Sequence, residues 1–368
     1  MASLETIADR AHDTPIISTL PPLADFYLNE FAIYSSVDGF HRDLYDPDHV
    51  FDQDVIIDED TRHSDYPRID CTADPITSRL NDVVAWEGQF HHDRIQDGLL
   101  CQSAIKNHIV ESITGEELVV LVIVDGLSYE TVRSLDGDIR PVVVDGFTTT
   151  GPGFKRVIYG GDVASLYAAL TSKGFYTGYG FTYWERGQEE LSTDLHSAID
   201  TVDRIEDFED ALSTLKADQP FSDKTYVQIT RMGFDQHCHN RKEKPNRSAI
   251  RDEILEDIHA VTETAAGITD NFRVFVTGDH GVLWQDQLPE DSPIVHDEWA
   301  DHARFLEGVH DLEKGLTVEI KDGDAVTGLA YPCLTRELKN TEWGVHGGFS
   351  YNESIVPLIE IATTSDTL

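Results

Sequence analysis

The sequence predicts an α/β fold with a mostly parallel central sheet covered by helices on both faces. Three observations carry this. Leu118–Val124 is an unbroken apolar run, LVVLVIV, and a run of that length rich in β-branched residues reads as a strand buried on both faces. Strand-like runs at 139–144, 225–230, 272–277 and 355–361 alternate with helix-like stretches, the order that builds a parallel sheet. Three strands end in or just before an aspartate, namely Asp125, Asp235 and Asp279. In open α/β sheets, ligands bind beyond the carboxyl ends of the strands.

Taken in order, residues 1–115 read as an N-terminal accessory region, with acid-rich loops at 46–54 and 58–65 and a helix over 93–112. Residues 116–368 read as the α/β domain. After the second strand, Thr148, Thr149 and Thr150 form a turn that leads into a helix ending near Tyr159. A further helix spans 162–173 and stops at Gly174. A long amphipathic helix covers 249–266, with Ser248 placed to cap it and Gly267 to end it. Residues 281–343 are long and irregular and read as a cap insertion over the site.

Charge separates this chain from ordinary globular proteins. Asp and Glu number 68 against 28 Lys and Arg, a formal net charge of −40. The acids are spread along the chain rather than gathered in a tail, and 18 of the basic residues are Arg. That pattern suits a halophilic protein, because concentrated salt screens like-charge repulsion within a few ångströms. The four cysteines form no C-x-x-C pair, so neither a zinc finger nor a disulfide framework is expected. The first fourteen residues have no basic and apolar leader pattern, and no run approaches the ~20 apolar residues of a membrane span. A soluble cytoplasmic protein with no membrane partner is expected.

The chemistry gathers at the strand ends. Adjacent strand residues point to opposite faces, so Asp279 and His280 can share one site only where the strand has ended; Gly278 and Gly281 supply that break. In Asp235-Gln236-His237-Cys238-His239, Asp235 and His239 lie one helical turn apart, a spacing suited to a metal ion, with His237 as the alternative ligand. His346, flanked by Gly347 and Gly348, is a further candidate. Carboxylates and imidazoles together suit zinc, with manganese as the substitute. Arg241, Lys242, Lys244 and Arg247 form a basic island just after the Asp235 segment, suited to a polyanionic substrate.

These segments, in this order, resemble the alkaline phosphatase superfamily, and within it the PglZ domain. The resemblance covers 118–361 and rests on VDGLSYE at Asp125, FTTTGPGFKRVIYGG, DQHCH at Asp235, TGDHG at Asp279 and HGGFSYNESIVPLI at His346. It implies a three-layer α/β/α sandwich of the alkaline phosphatase type with two divalent metal ions, zinc in the first instance. One ion would take Asp235, His239 and His346. The other would take Asp125, Asp279, His280 and the nucleophile hydroxyl, which the resemblance places at Thr150, with Thr148 and Thr149 as neighbouring alternatives. Ser128 and Phe147 depart from the family, where many members carry Arg and Pro. The implied activity is a phosphodiesterase or nuclease in anti-phage defence of the BREX type, with a phosphodiester or nucleic-acid substrate and other defence proteins as partners. The alternatives are a small-molecule phosphomonoesterase or sulfatase, or a non-catalytic, metal-stabilised subunit of a defence complex.

Overall fold

The computed structural model describes residues 100–362, with breaks at 133–134, 136–137, 161–163, 184–200, 205–223, 240, 296–299, 313–314, 321–323 and 330, together with three strands before residue 100. The chain divides into two compact units between Leu99 and Leu100. In the first unit, β1 (Ile16–Ser18), β2 (Phe31–Tyr34) and β3 (Asp54–Asp58) form a parallel sheet in the order β1-β3-β2.

The second unit is built on an eight-stranded sheet. Its strands are β4 (Leu100–Cys101), β5 (Leu118–Val124), β6 (Asp138–Val143), β7 (Tyr176–Tyr183), β8 (Thr201–Arg204), β9 (Thr225–Arg231), β10 (Phe272–Gly278) and β16 (Ile355–Ile361). Their order is β4-β6-β16-β10-β5-β9-β7-β8. Only β16 runs against its neighbours, β10 and β6. Among the described residues the α-helices are α1 (Ile105–Ser112), α2 (Tyr129–Val132), α3 (Thr150–Tyr159), α4 (Leu166–Ser172), α5 (Asp235–Cys238), α6 (Arg247–Ile268) and α7 (Tyr351–Ser354).

The apolar run of β5 explains the layering. Alternate strand residues face opposite sides, and here both sides are covered. Leu118, Val120, Val122 and Val124 join Ile250, Ile254, Ile258 and Val261 of α6. Val119, Leu121 and Ile123 join Ile105 and Ile109 of α1, Phe154 and Val157 of α3, and Leu166 and Leu170 of α4. The sheet is therefore the middle of three layers. Every β5 residue is at most 3% exposed, and each such burial is worth roughly 1.5–3 kcal/mol.

Several sequence expectations shift. Residues 100–115, expected in the accessory region, belong to the sheet unit, because β4 pairs in parallel with β6 and α1 packs on the core. The helix expected over 93–112 begins as α1 at Ile105 after a 3-10 turn at Gln102–Ala104, and its proposed start lies outside the described residues. The long helix is capped by Asn246, whose side chain accepts from the Ala249 N–H, not by Ser248, which donates to Asn246 instead. It runs through Gly267 to Ile268, since tertiary packing of Val261 and Ala265 carries the helix past one glycine. The acid-rich loops at 46–54 and 58–65 lie outside the described residues, apart from the ends of β3.

The span expected as a cap, 281–343, contains regular strands. β11 (Leu283–Trp284) pairs with β15 (Gly344–Val345) and pins its two ends together. Between them β12 (Phe305–Glu307), β13 (Gly315–Ile320) and β14 (Asp324–Leu329) form an antiparallel sheet. Among the described residues, no helix is long and apolar enough to cross a membrane.

Candidate metal centre

Strand register brings the acids together. β5 pairs in parallel with β10 and β9 so that Val124, Gly278 and Arg231 lie level at the carboxyl edge. The next residue on each of the first two strands is an aspartate, so Asp125 and Asp279 emerge side by side. The Gly126 N–H donates to Asp279 Oδ1 at 2.9 Å. The turn after β9 folds back over the same edge, with the Phe234 N–H donating to the Asp125 carbonyl at 2.9 Å. That turn places Asp235 at the start of α5.

Two groups of potential ligands result, each with its ligand atoms within 4.8 Å of one another: Asp235, His239 and His346, and Asp125, Asp279 and His280. In the first, Asp235 Oδ1 lies 3.2 Å from His239 Nε2 and 3.0 Å from His346 Nε2. His239 follows the last residue of α5, so the one-turn spacing read from the sequence is realised, and His239 rather than His237 completes the group. In the second, His280 Nε2 lies 3.6 Å from both Asp125 Oδ1 and Asp279 Oδ2. The two groups adjoin: the His280 and His346 rings stack with centroids 4.3 Å apart.

Thr150 opens α3 beside the second group. Its hydroxyl lies 3.5 Å from Asp125 Oδ1 and 3.3 Å from His280 Nε2. The neighbouring threonines do other things. Thr148 Oγ1 donates to the Gly348 carbonyl at 2.7 Å and accepts from the Gly347 N–H at 3.1 Å, tying the helix start to the His346 turn. Thr149 takes the N-cap position without a side-chain capping bond. Gly153 lets α3 approach, because a Cβ there would collide with the Asp279 carbonyl.

The donor set fits divalent cations. Asp235 Oδ1 and Asp279 Oδ2 are buried with no hydrogen-bond partner, one in each group; the imidazoles near Asp235 Oδ1 are close but not aligned to donate. A buried carboxylate oxygen left so is costly unless a cation meets it. The His280 Nδ1–H donates to the Gly281 carbonyl at 2.9 Å, and His346 Nδ1 faces the Thr148 carbonyl at 3.3 Å. Each bond turns Nε2 toward the carboxylates in the form that ligates metal. Burial, then the charges of Asp279 and Asp235, pushes the Asp125 pKa well above the carboxylate range. Burial raises Asp279 too, and it lowers His280. Burial would also raise Asp235, but His346 and His239 outweigh it and hold that carboxyl well below the usual range. Burial opposes charge on His346, yet Asp235 drives its pKa up to about 9. Carboxyls this close and this buried stay ionised together only with cations between them.

Some supporting residues carried little or no signal in the sequence. Gln102, fully buried, donates to the Gly278 and Asp279 carbonyls at 3.0 and 2.6 Å and accepts from Arg156 Nε at 2.7 Å. Glu353 pairs with Arg304 through Nε–Oε1 at 3.1 Å and Nη2–Oε2 at 2.8 Å, both side chains fully buried. Its Oε1 also accepts from the Gly348 N–H at 2.9 Å, and its backbone carbonyl accepts from the Gly281 N–H at 2.9 Å. Glu353 thus holds the turns that carry His346 and His280. An acid just before a buried apolar strand was the one available hint.

The basic island is not a row of unengaged cations. Lys244 Nζ and Arg247 Nη2 both reach Asp286 Oδ2 at 2.9 Å. Arg247 also lies over the Trp284 ring, 5.2 Å from its centroid. Arg241 and Lys242 are exposed, and none of the four belongs to either ligand group.

No protein-family model and no curated protein matches the sequence. Solved structures do resemble it in fold. The inactive murine ectonucleotide pyrophosphatase/phosphodiesterase 5 in complex with AMP overlaps 66% of this chain and 87% of its own, at 11% identity and a TM-score of 0.44. Phosphonoacetate hydrolase from Sinorhizobium meliloti 1021 overlaps 67% and 90%, at 13% identity and a TM-score of 0.38. The periplasmic domain of a phosphoethanolamine transferase from Campylobacter jejuni overlaps 68% and 81%, at 12% identity and a TM-score of 0.35. Likeness at this level assigns no activity to this chain.

Proposed function

We propose that this protein is a two-metal hydrolase of phosphate esters that acts on diesters and uses Thr150 as its nucleophile. The observation that carries the reading is the Thr150 hydroxyl at a helix start, 3.5 Å from Asp125 and 3.3 Å from His280, beside a second complete ligand group. Asp125, Asp279 and His280 would hold one divalent ion, and Asp235, His239 and His346 the other. Bound there, zinc or manganese would lower the pKa of the threonine hydroxyl and neutralise charge on the phosphate.

The chain's own residues supply the rest. Thr150 Oγ gives up its proton to solvent and attacks phosphorus; the Oγ–P bond forms, the P–O ester bond breaks, and the ester oxygen departs with its electron pair and takes up a proton from solvent. The phosphothreonine is then cleaved by water, which restores the hydroxyl. The first turn of α3 offers backbone N–H groups to the phosphate oxygens. A diester carries one negative charge fewer than a monoester and needs less cationic help. That suits this site, whose nearby guanidiniums are already committed: Arg156 to Gln102 and the Phe147 carbonyl, and Arg304 to Glu353. The finer reading, a PglZ-type enzyme acting on nucleic acid in anti-phage defence, rests on the sequence resemblance.

The test is hydrolysis of bis-p-nitrophenyl phosphate and of p-nitrophenyl phosphate by purified, zinc-loaded protein in high salt. The diester should be the faster substrate, and Thr150→Ala should remove the activity while leaving the bound metal, counted by elemental analysis, unchanged. Full activity in Thr150→Ala, or a preference for the monoester, refutes the assignment.

A further inference from the structure

Residues 300–304 lead into β12 and form neither helix nor strand, yet each of their backbone carbonyls is held. Arg336 Nε donates to the Ala300 carbonyl at 2.9 Å and Arg336 Nη2 to that of Asp301 at 2.8 Å. The Thr335 hydroxyl donates to the His302 carbonyl and the Thr335 N–H to that of Ala303 at 2.9 Å. The Leu329 N–H donates to the Arg304 carbonyl at 2.9 Å. Arg304 is also the residue that grips Glu353, which supports the His346 turn.

This clamped segment presents His302. Its side chain is exposed, and neither ring nitrogen has a hydrogen-bond partner among the described residues. The ring is fixed all the same: it stacks on Phe305, with centroids 4.0 Å apart and 18° between the planes. Phe305 packs edge-on against Phe147 at 4.7 Å, and a Cβ on Gly347 would strike its ring. Phe147 precedes the threonine turn and Gly347 follows His346. One aromatic stack therefore sets His302 beside both the nucleophile turn and the group of Asp235, His239 and His346. That group is the more open of the two, its ligands half-buried where the others are buried. Burial, then the charge of His346, holds the His302 pKa below the ordinary histidine value, which leaves a neutral ring with one N–H to donate.

The geometry of displacement limits what such a ring can meet. Attacking and departing oxygens lie roughly in line, so the departing ester stands across phosphorus from Thr150. The remaining positions on phosphorus hold two unesterified oxygens, which face the ligand groups and the first turn of α3, and the ester arm that is not cleaved. His302 is braced on the turn that carries Thr150, so it stands beside the nucleophile and not opposite it.

We propose that His302 determines specificity for the retained arm of a phosphodiester, donating a hydrogen bond to an oxygen on that arm. The arm is uncharged and polar, with an ether, hydroxyl or carbonyl oxygen a few bonds from phosphorus. This rests on the phosphodiesterase reading above, because a monoester has no second arm.

The test compares methoxyethyl p-nitrophenyl phosphate with butyl p-nitrophenyl phosphate. The two diesters share a leaving group and an arm length, and only the first carries an acceptor oxygen in the arm. The readout is the ratio of their kcat/KM values with full-length, zinc-loaded protein. His302→Ala should lower that ratio about two- to tenfold, the span of one neutral hydrogen bond. His302→Asn, which keeps an N–H donor, should retain more of the ratio than His302→Ala. A loss of packing alone would slow both diesters alike, so a ratio unchanged in His302→Ala overturns the proposal. Binding is the second measurement, by calorimetry on zinc-loaded Thr150→Ala protein with bis(methoxyethyl) phosphate and dibutyl phosphate. The affinity ratio should fall by the same factor when His302→Ala is added, and an unchanged ratio again overturns the proposal. A ratio that changes in binding while wild type hydrolyses neither diester overturns the functional reading alone. Hydrolysis with the same arm preference in wild type and His302→Ala overturns this inference alone.

Discussion

Replacing Glu353 with glutamine tests the support of the metal centre most directly. Glu353 and Arg304 are both 0% exposed and joined by two charge-assisted hydrogen bonds. The substitution keeps the size of the side chain but leaves a buried guanidinium facing a neutral amide. Breaking a buried pair from one side costs about 3–5 kcal/mol. At roughly 2–4 °C of Tm per kcal/mol for a domain of this class, the expected fall is about 6–20 °C. A second effect should appear at the site. The Gly348 N–H loses its charged acceptor, so the turn carrying His346 loosens. Loss of such a supporting bond weakens metal affinity about 10–100-fold. The assay is calorimetric unfolding of the metal-free protein, followed by zinc titration at a temperature where the variant is folded. A Tm within about 2 °C of wild type, together with unchanged zinc affinity, would refute the reasoning from burial to support.

The remaining predictions concern the same framework. Chelation should lower Tm, because a ligand present at ~100 times its Kd stabilises the folded state by about 2.7 kcal/mol; a Tm indifferent to chelator would mean that neither group holds metal in the folded state. Gly153→Ala should cost about 1–3 kcal/mol of overpacking and should reduce diester hydrolysis further than stability alone explains, because the methyl collides with the Asp279 carbonyl and moves Thr150; activity equal to wild type would exclude that close approach. Glu342 is paired with Arg336 at 2.8 Å, and although burial opposes it, that pairing and the Lys339 N–H hold its pKa below the carboxylate range. Its contribution to stability is therefore present above the unfolded carboxylate value of about 4.3 and is lost as pH falls through the lower folded value. Urea unfolding of wild type and Glu342→Gln should differ at neutral pH and converge in acid; a difference that does not shrink as the pH falls would contradict the assignment.

Much of the machinery was legible because it is local. The β5 strand follows from seven apolar residues in a row, and the start of α3 follows from a threonine turn before a helical pattern. Each depends on neighbours within a few residues. The ends of elements were less legible. Ser248 and Asn246 are equally good capping types, and only the path of the chain into α6 made Asn246 the acceptor. Residues 100–115 read as accessory because a two-residue strand carries almost no pattern, and pairing with β6 decided its place.

The sequence by itself determined which residues could ligate metal, and that acids would crowd the carboxyl ends of the strands. It did so because residue type and strand period are properties of short segments. Tertiary structure decided the rest. The level register of β5, β9 and β10 made Asp125 and Asp279 neighbours, and it let the Gly126 N–H reach Asp279 across 153 residues of chain. The bonds of Thr148 to the His346 turn left Thr150 as the hydroxyl at the site. Glu353, Arg304 and Gln102 became supports only through contacts between distant segments. A hydrogen bond across the sheet depends on where two strands stop, and no local pattern encodes that.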